Sequence, residues 1–228
     1  MAVPILPYSV GHYNSLPELH AARNQFESTQ ASEILFTEIG EALLKHNVEK
    51  KLGVVLLHNH FLLEPYEILV NVGSVAVPWD ARSGAEELTN VTPSSWRFID
   101  GGLTPFEFAH AATNMLLDQQ QTQAFLVEFG AILNKLRLAN LFGICALGGR
   151  SIDGPTTMEF TSGRANITLP FDIAPDDGNT VDAMWQFSSD SRTSAVQSSS
   201  NGMQPIVFGQ CKNRCKGKPH QERHTSNT

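Results

Sequence analysis

Apolar and polar positions along the chain change rhythm in a fixed order, and they do so twice. Residues 30–46 and 119–137 carry apolar side chains at spacings of three and four, the period of a helix with one buried face. Each is followed by an apolar run, 53–59 (GVVLLHN) and 142–147 (FGICAL), that reads as a buried strand. Alternating segments come next, at 67–77 and 156–170, as expected of half-buried strands. A strand with Trp-x-Phe closes each series: Trp96-Arg97-Phe98, then Trp185-Gln186-Phe187. In the first series Asp100-Gly101-Gly102 reads as a hairpin turn leading into LTPFEF.

The second series is the first displaced by ninety residues. EIGEALLKHNVEKKLGVVLLH from Glu38 aligns without a gap on EFGAILNKLRLANLFGICALG from Glu128. Glu38, Gly40, Leu43, Lys45, Gly53 and Leu57 meet Glu128, Gly130, Leu133, Lys135, Gly143 and Leu147, and Gly73 meets Gly163 further on. Such self-similarity predicts an internal duplication. The expected fold class is α+β: two similar helix-plus-antiparallel-sheet halves, about 27–110 and 117–187, in one pseudo-symmetric domain spanning 1–187. Residues 188–210, opening with SSDSRTSAVQSSSNG, read as a serine-rich linker, and 211–228 as a metal-binding tail.

Charge and composition narrow the function. A formal charge of −7 argues against nucleic acid, which needs basic surface to displace phosphate counterions. No apolar run approaches the roughly 20 residues of a membrane span. The first residues, MAVPILPYSVGHYN, lack a basic stretch followed by a sustained apolar one, so no secretory signal is expected. Three cysteines make no disulfide framework and suit a reducing compartment, so the expected location is cytoplasmic. The sequons at Asn90 and Asn166 are then accidental. Neither nucleic acid nor a membrane is expected as a partner, which leaves proteins and small-molecule substrates.

Against that background the histidines stand out. In LLHNHFLLEPYE, His58 and His60 lie two apart at the mouth of a buried strand, on one face if the strand continues. The repeat has Gly148 and Arg150 in their places, so the shared framework does not require them. The tail adds Cys211-x3-Cys215-x4-His220-x3-His224, a set of thiolates and imidazoles that zinc prefers and that disfavours hard-ligand metals. Packed into fourteen residues, four tail ligands would be cramped. A shared site built from Cys211, Cys215 and one or more of His58, His60 and His220 is therefore expected. Glu64 and Glu67 follow the histidines closely, and Glu67, which opens the next strand and could point back toward the histidine face, is the expected acid/base, with Glu64 as the second candidate. A closed zinc that merely pins the tail remains open as an alternative, as does a zinc-dependent hydrolase.

LLHNHFLLEPYEILV, TPSSWRF, LTPFEF, LFGICAL, RANITLP and the Cys-x3-Cys tail together resemble the fungal cyclopenase-like family of small zinc-dependent proteins, described as hemocyanin-like. The resemblance implies a lyase of secondary metabolism. Its reaction contracts a cyclopenin-type benzodiazepinedione epoxide to a viridicatin-type quinolone, with loss of methyl isocyanate. A hemocyanin-type copper pair needs several His-x3-His helical pairs, and only His220/His224 has that spacing, so oxygen chemistry is not expected.

Overall fold

Strands of both halves share one closed sheet. The computed structural model describes residues 2–82, 88–110, 119–150, 152–173, 180–189 and 208–216. The first half supplies β1 (Leu52–Leu56), β2 (Glu67–Val72), β3 (Val75–Asp80), β4 (Val91–Ile99) and β5 (Gly102–His110). The second supplies β6 (Phe142–Ala146), β7 (Thr157–Ser162), β8 (Ala165–Pro170), β9 (Thr180–Ser188) and β10 (Phe208–Lys216). Around the barrel the order is β1-β6-β4-β5-β2-β3-β8-β7-β10-β9, and β9 pairs back onto β1. Exchanging the halves strand for strand leaves this circular order unchanged, so the ring has pseudo-twofold symmetry.

The α+β expectation of two helix-plus-sheet halves is thereby overturned: the molecule is a ten-stranded closed barrel with few helices. Either half alone would leave sheet edges unpaired. The pairings β1–β6, β4–β6, β1–β9 and β3–β8 consume those edges, which removes exposed backbone donors and acceptors. The sheet is not purely antiparallel either, since β2–β5 and β7–β10 run parallel.

The helices lie outside the barrel and bury their periodic faces. Those bounded within the described residues are α1 (Val10–Asn14), α2 (Leu19–Ser28), α3 (Ala31–Ile34), α4 (Gly40–Lys45) and α5 (Gln119–Leu136), with a π-helical stretch Leu35–Ile39 joining α3 to α4. Leu35, Ile39 and Leu43 are fully buried at spacings of four, as are Phe125, Phe129 and Leu133 on α5. They join Trp96, Phe142 and Trp185 in the larger core. Repeated residues pair across the two halves: Lys45 Nζ lies 2.8 Å from Glu128, and Lys135 Nζ lies 3.4 Å from Glu38. The Glu-x6-Lys motif is thus read twice, reciprocally.

The repeated strand glycines have a shared steric reason. A Cβ on Gly143 would lie 2.6 Å from the Trp96 carbonyl oxygen, and one on Gly53 would lie 3.0 Å from that of Trp185. Each central strand is approached closely by the backbone of a Trp strand, at Gly143 too closely for any side chain and at Gly53 to the limit of ordinary Cβ contacts.

The separate tail is a second correction. Cys211–Lys216 belongs to β10 and is barrel wall, equivalent to β5 in the first half. The serine-rich segment therefore stands where Asp100 and Gly101, at φ 50° and 77°, turn β4 into β5. Residues 190–207 lie outside the described residues, as do His220 and His224.

Candidate metal centre

The segment after β1 is pinned residue by residue, and this aims the histidines inward. The Leu57 N–H donates to Leu141 O at 2.8 Å and the Asn59 N–H to Pro17 O at 2.9 Å. Regular strand ends at Leu56, yet the His58 and His60 rings still converge, their centroids 4.7 Å apart. Cys215 on β10 meets them. One ligand atom from each of His58, His60 and Cys215 lies within 4.8 Å of the others, a group that could hold a metal ion.

His58 is set up as a ligand. Its Nδ1 lies 2.8 Å from Leu56 O, a contact that requires the proton on Nδ1 and leaves the lone pair on Nε2. That Nε2 is shielded from solvent and has no hydrogen-bond partner among the described residues. A histidine whose second nitrogen donates to a backbone carbonyl has the usual orientation of a metal-bound imidazole. Burial, and then the neighbouring His60, lower its pKa to about 4, so the ring is neutral at neutral pH.

Glu159 on β7 ties the cluster together. Its Oε2 lies 3.4 Å from His60 Nε2 and 3.5 Å from Cys215 Sγ. The amides of Asn166 and Asn213 donate to it at 2.8 and 2.6 Å. Burial pushes the carboxyl up, but the hydrogen bond and charge of His60 and the two amides outweigh it and hold the pKa at about 2. An ionised carboxylate thus faces the cluster. Burial, and then the charge of Glu159, push the Cys215 thiol well above its ordinary value.

The cluster borders a cavity of about 470 Å3, within the range of small-molecule sites. Val55, Phe106, Ala146 and Met184 give it apolar wall, and Glu107 on β5 gives it a second carboxyl. Ser95 Oγ donates to Glu107 Oε2 at 3.0 Å. Burial, and then the charge of Glu159, raise Glu107 to about 7.

Of the residues expected from sequence, His58, His60 and Cys215 come together, and Cys211 does not. The β9–β10 ladder slips at Lys212, which reverses the alternation of side chains, so residues four apart face opposite sides. Cys211 pairs with Trp185, whose ring stacks on Phe26 of α2 at 5.5 Å, and so points to the helices. Asn213, past the slip, lines the cavity with Cys215. Glu67 does not line the cavity. It is bound by Arg164, whose Nη1 donates to Oε1 at 3.0 Å, and by the backbone N–H of Glu64 at 2.6 Å. Glu64 is exposed beside it. Neither of the two expected acid/base residues is therefore among those that line the cavity. His220 lies outside the described residues.

Glu107, Glu159, Asn166 and Asn213 escaped the reading of the sequence. Glu107 and Glu159 gave no signal of their own, because Phe106-Glu107-Phe108 and Met158-Glu159-Phe160 show the ordinary alternation of a half-buried strand, which reads as an acid on the solvent face. Asn166 is 4% exposed and held by His60 and Glu159, so its sequon is closed to glycosylation.

Comparison with protein-family models, curated proteins and solved structures returns no match. Among the described residues no helix is long and apolar enough to cross a membrane.

Proposed function

We propose that the protein is a zinc-dependent lyase of secondary metabolism, acting on a cyclopenin-type benzodiazepinedione epoxide inside the barrel. The observation that carries this reading is the shielded, unpartnered Nε2 of His58 beside His60 and Cys215. Two imidazoles and a thiol fit zinc, and three protein donors beside a cavity suit an open coordination position better than a closed structural site. Bound there, zinc would supply a Lewis acid to polarise a substrate oxygen.

The chain's own residues account for the remaining tasks. Leu56 O keeps the His58 lone pair on Nε2, and Glu159 orients His60. A ring contraction with loss of methyl isocyanate consumes no water, and the apolar side chains of Val55, Phe106, Ala146 and Met184 can seat the aromatic part of such a substrate. Glu107, raised to about 7, can give and take back a proton at neutral pH, the task first expected of Glu67. Free thiols at Cys145, Cys211 and Cys215 suit the cytoplasm as the place of work.

Metal analysis of the purified protein, followed by incubation with cyclopenin and mass spectrometry, tests the reading. About one zinc per chain and a viridicatin product are expected, with both lost in His58→Ala. Absence of zinc would end the metal assignment. Stoichiometric zinc without turnover of cyclopenin would end the lyase assignment.

A further inference from the structure

The wall of the cavity that faces β10 carries polar groups the metal cluster does not use. β5 and β10 stand five strands apart in a ring of ten, so the two sites look at each other across the lumen. Between Pro93 and Trp96 the β4–β5 ladder slips twice, leaving Ser94 and Phe106 without partners on the opposite strand. As a result Ser94 and Ser95 both line the cavity, along with Phe106 and Glu107. Ser94 is 7% exposed, and its Oγ has no hydrogen-bond partner among the described residues. The same slip occurs in the second half, where Ala183 takes the place of Ser94. The irregularity therefore does not call for a hydroxyl. A buried hydroxyl without a partner is a cost to folding that a ligand can remove.

Glu107 supplies the rest. Ser95 holds its carboxyl through Oε2, and burial keeps a proton on it to about neutrality. A protonated carboxyl presents an O–H beside a C=O. A cis amide presents the complementary pair, a C=O beside an N–H, so the two edges can meet in a pair of parallel hydrogen bonds. The Ser94 hydroxyl can donate to the second lone pair of the same amide carbonyl.

We propose that Ser94 and Glu107 form a subsite for the edge of a cis amide, as in a lactam or cyclic urea, on the wall facing the metal cluster. This rests on reading the cavity as the substrate site, and it names the group the substrate turns away from the metal. The apolar side chains of Val55 and Phe106 would flank the amide ring.

Titration with 2-pyridone, followed by ligand NMR, tests the subsite without any turnover. The wild-type protein should bind 2-pyridone at least about fivefold tighter than N-methyl-2-pyridone, which lacks the N–H. Ser94→Ala should weaken 2-pyridone about fivefold, and Glu107→Leu about tenfold or more. Glu107→Gln should bind within about twofold of wild type, because a carboxamide offers the same donor and acceptor pair. All three variants should keep the zinc content of the wild type, which shows that they are folded. Equal affinity for the two pyridones, no binding of 2-pyridone, or an unaffected Glu107→Leu would overturn the subsite. A zinc-free protein that passes the pyridone test would overturn the metal reading and leave the subsite standing.

Discussion

Replacing Glu107 by Gln should make the barrel more stable at alkaline pH, by an amount set by how far the carboxyl is displaced. The carboxyl moves from 4.5 to about 7 on folding, chiefly through burial. Each unit corresponds to about 1.4 kcal/mol, so ionising the folded state costs about 3 kcal/mol relative to the unfolded chain. The sign follows from the direction. A carboxyl raised in the folded state contributes stability that is fully present below its unfolded value and is lost as pH rises through about 7. Gln cannot ionise, so the variant lacks this loss. Urea unfolding of both proteins, dialysed against chelator, at about pH 5 and about pH 8 would measure it. The stability of Glu107→Gln minus that of wild type should rise by about 2 to 3 kcal/mol between the two conditions. That is a large part of the stability of an ordinary domain. A difference that stays constant with pH would refute the burial argument, and one that falls would reverse its sign.

Other substitutions separate the residues that the barrel brings together from those it keeps apart. Cys215→Ser should reduce zinc affinity severely, whereas Cys211→Ser should leave zinc content unchanged, because Cys211 points to the helices; metal analysis of both variants decides. Glu67→Gln should likewise keep its zinc and change stability by less than about 1 kcal/mol, since it removes only part of an exposed ion pair with Arg164. Gly143→Ala should cost about 2 kcal/mol or more in urea unfolding, because its Cβ would meet the Trp96 carbonyl at 2.6 Å, a backbone atom that cannot swing aside. An alanine variant as stable as wild type would show that the strands can part at no cost.

Much of this molecule is local in origin and therefore legible along the chain. The duplication shows in Glu38, Lys45 and Gly53 because each half repeats the same helix period, close-approach glycine and strand alternation, and those depend on near neighbours. The histidines at the end of β1 could be singled out because the repeat dispenses with them. Closure of the barrel could not be read this way. Alternation tells which residues share a face, but backbone hydrogen bonds between strands carry no residue code, so nothing in the pattern says that β1 pairs with β6 and β9. Cys211 and Cys215 show the same limit at the scale of one residue. Their spacing places them on one face of an ideal strand, and only the slip at Lys212, set by pairing with β9, turns one outward and leaves the other beside His58 and His60. Glu159 and Glu107 come from strands far apart in the chain; burial in a common lumen raises both, but His60 and the amides of Asn166 and Asn213 hold Glu159 at about 2 while Glu107 stands at about 7. Desolvation and charge act through space, so the chemistry of this site belongs to the closed barrel and to neither half of the sequence alone.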